Sequence, residues 1–269
     1  MNTIFANEEL KKVTDKVCDV AGYLWEKGWA ERNAGNISIN VTDILKGKID
    51  NLSSYPTKQL NIALPALADN IFLITGTGKR MREIARDIWG NCSIVAVHQD
   101  GKTYSIVSEG ETVIPTSELP THLSVHQEMV KRGGKDKVLV HTHPNEIVAM
   151  SLLPSLSKEE AINEALWGMH PETYIVVPKG VGLIPYEVPG TDDIAKLTVE
   201  SLQAHNVVIW PKHGCLTIGS DLIETFDIID TLNKSAILYL LCKSAGENPM
   251  GLQKSERDVL KVAFKITDC

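Results

Sequence analysis

An α/β domain is the fold class this sequence predicts, and three observations predict it. Segments with helical periodicity alternate with strand-like runs along the whole chain. Several apolar runs stop abruptly at loops rich in Gly, Thr, Asn or Pro, as strands do at the edge of a sheet that carries chemistry. No break between elements is long enough to force a boundary, so residues 1–269 read as one domain. By itself, such alternation favours a parallel sheet.

The elements follow in order. Leu10, Val13, Val17, Val20 and Leu24 recur at spacings of three and four, which predicts a helix over 8–29, with Gly28 near its end. Arg32-Asn33-Ala34-Gly35-Asn36 is a turn leading into an alternating strand, Ile37–Val41. Asn and Gly tolerate positive φ, so this is either a plain turn or a concave run of N–H groups and amides suited to an anion. Residues 43–70, with Pro56 and Pro65, read as an irregular surface excursion. Ile71–Ile74 is a buried strand running into Thr75-Gly76-Thr77-Gly78-Lys79 and a helix over 80–88. Strand, Gly/Thr loop and helix form a place for phosphate, although the lysine spacing is not that of a Walker loop.

Strands over 92–98 and 102–107 flank Asp100-Gly101, a hairpin turn. Thr116 or Ser117 is the expected N-cap of a helix reaching Arg132, with Pro120 in its first turn. Glu118 there suits the helix dipole without any further role. His122 and His126, four apart on this helix, read as packing residues. After the His-x-His strand come a helix over 145–152, a capping box Ser157–Glu160 opening another, and a strand over 174–177. Residues 178–182 are a turn. Thr191 caps a helix to Ala204, a strand covers 206–210, Asp221–Glu224 is a capping box for a helix to Ser244, and a last helix covers 255–264.

Composition excludes several classes. The chain is 43% hydrophobic and 23% charged, an ordinary globular balance. With 27 basic and 34 acidic residues the net charge is −7, which argues against a general nucleic-acid or acidic-membrane surface. Cys18, Cys92, Cys215, Cys242 and Cys269 are scattered and form no Cys-x-x-Cys pair, which fits free thiols in a reducing cytoplasm. No signal-peptide pattern and no membrane-spanning run is apparent.

The chemistry gathers around Val138-Leu139-Val140-His141-Thr142-His143-Pro144. On a strand, residues i and i+2 share a face, about 6–7 Å apart. Such imidazoles can converge on one ion; the alternative is two partly buried histidines at a strand end. Lys212-His213-Gly214 ends another strand and offers a third nitrogen. Three protein ligands leave a tetrahedral position open, the signature of a catalytic rather than a structural zinc.

Taken together, Asn33-x-Gly35-Asn36, Thr75–Lys79, Thr116-Ser117-Glu118, His141-x-His143-Pro144 and Lys212-His213-Gly214 resemble the class II aldolase family over nearly the full length. Further matches are Trp25–Asn33, Val113–Pro120 and Val188–Asp192. Ala34 and Thr77 depart from the glycine and serine found in the enzymes this chain resembles. The resemblance implies a three-layer α/β/α domain with a largely antiparallel central sheet, and a homotetramer with sites near subunit interfaces. It implies one zinc per chain on His141, His143 and His213. It also implies phosphate and substrate binding by Asn33, Gly35, Asn36, Thr77, Gly78, Thr116 and Ser117, proton exchange by Glu118, and a role near C4 for Glu172 from a neighbouring subunit. The implied reaction is reversible cleavage of L-rhamnulose 1-phosphate to dihydroxyacetone phosphate and L-lactaldehyde. Cleavage of L-fuculose 1-phosphate, epimerisation of L-ribulose 5-phosphate, and a non-catalytic binding or assembly role are the alternatives.

Overall fold

A computed structural model describes residues 3–108 and 110–266. In chain order the elements are α1 (Glu8–Glu26), β1 (Asn36–Asn40), α2 (Thr42–Leu45), β2 (Thr57–Gln59), β3 (Ile71–Thr75), α3 (Met81–Ile84), β4 (Cys92–Val97) and β5 (Thr103–Val107). Then come α4 (Leu119–Arg132), β6 (Val138–Thr142), α5 (Asn145–Ser151), α6 (Glu159–Met169), α7 (Pro171–Val176) and β7 (Val181–Leu183). The last are α8 (Asp192–Ser201), β8 (Val207–Trp210), β9 (Gly214–Gly219), α9 (Leu222–Ser244) and α10 (Lys254–Ala263).

The strands form one sheet in the order β2-β5-β4-β3-β1-β6-β9-β8-β7. Every pairing is antiparallel except β7 with β8, so the parallel sheet suggested by alternation is corrected and the family's antiparallel sheet is found. Alternation misleads because few connections here make the right-handed crossover that joins parallel neighbours. Both faces are covered. Ile37, Ile39, Leu73, Val138 and Val140 pack with α1, α5, α6 and α9 residues on one side. Phe72, Ile74, Leu139, Val208 and Trp210 meet α4 and α8 residues on the other. Burial on both faces explains why the strands read as continuous apolar runs.

Several local expectations change. Helix α1 ends at Glu26, where Gly28 turns at φ +74° and Trp29 N–H returns to the Leu24 carbonyl. The 43–70 excursion contains α2 and the edge strand β2. The helix after the Gly/Thr loop is shorter than expected, Met81–Ile84. Residues 174–177 lie in and just after helix α7 rather than in a strand; Val177 N–H bonds to the Thr173 carbonyl, and Thr173 Oγ1 is tied to Ser235 Oγ at 2.8 Å. Tertiary packing overrides the β-propensity of Tyr-Ile-Val-Val, and the strand falls instead on Val181–Leu183, inside the expected turn. The Ser157–Glu160 capping box is not made; Glu159 instead accepts from Leu183 N and contacts His205. Thr191 caps its helix as expected; Asp221 caps α9 by accepting from Ile223 and Glu224 N–H groups, without the reciprocal Glu224 bond of the expected box, while Gln253 and Glu256 form an unforeseen capping box on α10. Cys18, Cys92, Cys215 and Cys242 are free thiols; Cys269 lies outside the described residues. No described helix is long and apolar enough to cross a membrane.

The Asp100-Gly101 hairpin forms, with Asp100 Oδ1 accepting the N–H groups of Lys102 and Thr103. Gly101 sits at φ +60°, and a Cβ there would approach Pro65 Cα to 2.9 Å and Leu64 O to 3.0 Å. Left-handed backbone and contact with main chain both oppose a side chain. Gly101→Ala is expected to lower the unfolding free energy by about 1–3 kcal/mol. Urea denaturation measures it, and an unchanged midpoint would show that this turn relaxes freely.

Candidate metal and phosphate site

Strand β6 lies between β1 and β9, with Asn36 opposite His141 on one side and Leu216 on the other. That register brings Asn36, His141 and the chain following β6 to one end of the sheet. His143 follows directly; its N–H and the Thr142 hydroxyl both bond to the Trp29 carbonyl, at 3.0 and 2.8 Å. His213 arrives from the β8–β9 turn, closed by His213 N–H to Trp210 O at 3.0 Å, with Lys212 left-handed at φ +66°. A non-glycine residue in that region is strained, and such strain gathers at functional sites. Gly214 leaves the room His143 needs: a Cβ there would lie 2.3 Å from Thr142 O and 2.9 Å from the His143 ring.

The donor set of His141, His143 and His213 fits a metal ion: their ligand atoms all lie within 4.8 Å of one another. His141 Nδ1 meets the Cys215 carbonyl at 2.9 Å, and His143 Nδ1 meets Glu31 Oε1 at 3.1 Å. Both Nδ1 atoms therefore donate, and both Nε2 atoms carry lone pairs. Those two lone pairs face each other at 3.2 Å. They repel unless a cation lies between them, and tetrahedral zinc would hold two such nitrogens about 3.3 Å apart. Burial, reinforced by the neighbouring imidazoles, drives His141 well below the ordinary histidine value, and burial pushes His213 down to about 4. Both are thus neutral and ready to ligate at neutral pH. His213 Nδ1 is buried with no partner among the described residues, a further sign that this cluster is built for something beyond the chain's own atoms.

Glu118 occupies the N-cap position of α4, displacing the expected Thr116 or Ser117, although Thr116 Oγ1 accepts the Glu118 N–H at 3.3 Å. Its carboxylate does not cap the helix. Glu118 Oε2 accepts from Asn36 Nδ2 at 2.9 Å and lies 3.7 Å from His141 Nε2. Burial raises its pKa, opposed by the Asn36 hydrogen bond and the proximity of His143. A carboxyl so placed can hold or release a proton beside an ion.

Both presumed anion loops open onto the same cavity of about 310 Å³. It is lined by Arg32–Asn36, Gly76–Gly78, Thr116–Glu118 and the three histidines. Their geometry is more than a pair of turns: Arg32 and Gly35 are left-handed at φ +52° and +77°, and Gly78 at +69°. The N–H groups of Ala34, Thr77 and Thr116 are spent on Glu31, Ile114 and Thr75 carbonyls. Those of Asn33, Gly35, Gly78 and Ser117 engage no partner among the described residues, as an anion cradle requires. A separate apolar cavity of about 380 Å³, lined by Leu60, Ile62, Tyr104 and Ile114, abuts the first at Thr77, Thr116 and Ser117.

The structure thus brings together every expected site residue but one. Glu172 stands exposed at the start of α7, 3.2 Å from His170, outside this cavity. Asn36 enters the cavity, but its amide is committed to Glu118 and to His122. Sequence reasoning missed the role of Glu31 as the partner of His143, because nothing local links positions 112 residues apart.

The chain matches the model of the class II aldolase and adducin N-terminal domain over residues 15–240. It is 40% identical over 268 residues, 99% of each chain, to a rhamnulose-1-phosphate aldolase of Bacteroides thetaiotaomicron. It is 37% identical to one of Shigella boydii over 90% of each. Among solved structures, a sugar-phosphate aldolase of Thermotoga maritima is similar at a TM-score of 0.76 and 30% identity, covering 90% of this chain and all of that one. An L-fuculose 1-phosphate aldolase shares the fold at a TM-score of 0.63 and 20% identity, covering 95% and 97%.

The ligand assignment yields a direct test. Protein purified without chelator is expected to hold about one divalent ion per chain, and His143→Ala to lose most of it. Elemental analysis decides; full occupancy in the variant would remove His143 from the set.

Proposed function

The chain belongs to the class II aldolase and adducin N-terminal domain family, and we propose that it is a zinc-dependent aldolase that reversibly cleaves L-rhamnulose 1-phosphate to dihydroxyacetone phosphate and L-lactaldehyde. One observation carries the reading: three clustered histidines, a buried carboxyl and two concave backbone loops share one cavity. A phosphorylated ketose needs all three.

The backbone amides of Asn33, Gly35, Gly78 and Ser117, with the hydroxyls of Thr77, Thr116 and Ser117, hold the phosphate. Binding this non-reacting group orients C2 to C4 against the chemistry. Zinc on His141, His143 and His213 would supply Lewis-acid polarisation of the C2 carbonyl, worth several kcal/mol as negative charge develops. A base near C4, the place this reading gives to Glu172 of a neighbouring chain, takes the C4 hydroxyl proton, the C3–C4 bond breaks, and its electron pair stays with the C2–C3 unit. Glu118 delivers a proton to C3 to complete dihydroxyacetone phosphate; in the reverse direction it removes that proton. Burial favours this role, because an ordinary glutamate of pKa about 4.3 holds no proton at neutral pH. In this reading the whole chain is one such domain, working in the cytoplasm as a homotetramer, and Glu172 acts near C4 in a neighbouring subunit's site.

Substrate choice rests on stretches that flank and extend the shared motifs. Trp25–Asn33, Val113–Pro120 and Val188–Asp192 match the rhamnulose enzymes, and the chain is 37–40% identical to proteins of that name, against 20% for a fuculose enzyme. The two sugar phosphates differ in stereochemistry at C4, where one mispaired buried group is worth about 1–3 kcal/mol, roughly 5–150-fold. The expected result is chelator-sensitive release of triose phosphate, with kcat/KM higher for L-rhamnulose 1-phosphate by that factor. A preference for the fuculose compound, or epimerisation of L-ribulose 5-phosphate without cleavage, would overturn the assignment.

For the proton step, Glu118→Gln is expected to keep its metal and to slow solvent-deuterium exchange at C3 of dihydroxyacetone phosphate by about 10²-fold or more. Exchange within a few-fold of wild type would place the transfer elsewhere.

A further inference from the structure

The two histidines that read as packing residues form part of a continuous buried seam between β1 and α4. Glu118, His122 and His126 are spaced by four on or just before α4, and Asn36 and Ser38 by two on β1. The two periods match, so the side chains interleave. Glu118 Oε2 meets Asn36 Nδ2 at 2.9 Å, and Asn36 Oδ1 meets His122 Nε2 in a short contact. His122 Nδ1 meets Ser38 Oγ at 2.7 Å, and Ser38 Oγ meets His126 Nε2, also at 2.7 Å. Ser38, His122 and His126 are at most 1% exposed.

The direction of every hydrogen bond follows from one end. Glu118 Oε2 accepts whether the carboxyl is ionised or carries its proton on Oε1, so Asn36 must present Nδ2 to Glu118 and Oδ1 to His122. His122 Nε2 must then carry a proton. Burial holds His122 and His126 neutral, each pushed down to about 3. His122 Nδ1 is therefore an acceptor and takes the single Ser38 hydroxyl proton. Ser38 Oγ, its proton spent, accepts from His126 Nε2–H. The His126 ring is braced against Phe72, with ring centroids 4.7 Å apart.

We infer that Ser38 and His122 are positioning residues: through Asn36 they hold Glu118 by Oε2 and leave Oε1, which has no hydrogen bond among the described residues, for the substrate proton. Of the seam, only Asn36 and Glu118 line the cavity. Its function is to stop the Asn36 amide from turning over, since the flipped amide would present Oδ1 to the carboxylate and repel it. The inference rests on Glu118 as the acid/base, but its test separates the two.

In zinc-loaded protein labelled with nitrogen-15 histidine, the resonances lost in His122→Gln are expected to show a protonated Nε2 and a bare Nδ1. The opposite tautomer overturns the seam's polarity whatever the enzyme does. His122→Leu, which removes both bonds, is expected to lower kcat for triose-phosphate release by about 10–100-fold, with KM within about threefold and bound metal unchanged. His122→Gln keeps a donor toward Asn36 and an acceptor toward Ser38, and is expected to recover kcat to within about fivefold of wild type. Wild-type kcat in His122→Leu, or an equal loss in both variants, overturns the positioning role. If wild-type protein releases no triose phosphate, the aldolase reading fails, and the tautomer still decides the seam. The tautomer measurement also stands if His122→Leu does not fold.

Discussion

The antiparallel register of β6 between β1 and β9 is the constraint on which the site depends. Because side chains alternate along a strand, a slip of one residue would turn His141 to the opposite face of the sheet and put an apolar neighbour in its place. The register is held from both faces: Val138 and Val140 pack into the larger core cluster, while Leu139 packs against the α4 and α8 layer. The same pairing puts Asn36 opposite His141 and so carries α4's Glu118, through Asn36, to within 3.7 Å of the histidine. Packing energy spread over the core thus becomes positional accuracy at a few nitrogen and oxygen atoms.

What surrounds those atoms is an economy of polar groups. His141 gives its second nitrogen to Cys215 O, His143 gives its own to Glu31, and Thr142 and His143 both lean on the Trp29 carbonyl. Each bond removes a rotational freedom that an isolated imidazole would have, and each selects a tautomer. The exceptions mark the chemistry. His213 Nδ1 is buried without a partner among the described residues, the lone pairs of His141 and His143 face one another, and Lys212 is held in a left-handed conformation just before His213. A fold tolerates such costs when the rest of the structure over-determines them.

The three histidines, Glu118 and the two concave loops line one cavity at the end of the sheet. The fold recurs in a solved structure at 20% identity, and the segments Trp25–Asn33 and Val113–Pro120 each reach into the cavity, through Arg32, Asn33 and Thr116–Glu118.

The sequence alone determined the short-range features. The His-x-His strand end, the Asp100-Gly101 hairpin, the Thr191 and Asp221 caps and the glycine-bearing turns were legible because each is set by chemistry within a few residues. The three histidines were readable as one group because each ends a strand, although their convergence was only an expectation. Tertiary structure decided what depends on distant partners. It set the antiparallel order of the sheet, turned residues 174–176 into helix, and tied Glu118, the expected proton-exchanging carboxyl, to Asn36. It paired Glu31 with His143, and it turned His122 and His126 from presumed packing into a directed chain of hydrogen bonds. A signal for that seam existed: Asn36, Ser38 and Asn40 give one face of an alternating strand polar residues, and His122 and His126 lie at helical spacing from Glu118. It could not be read alone, because a buried polar residue has meaning only once its partner is known, and here the partners stand more than 80 residues apart.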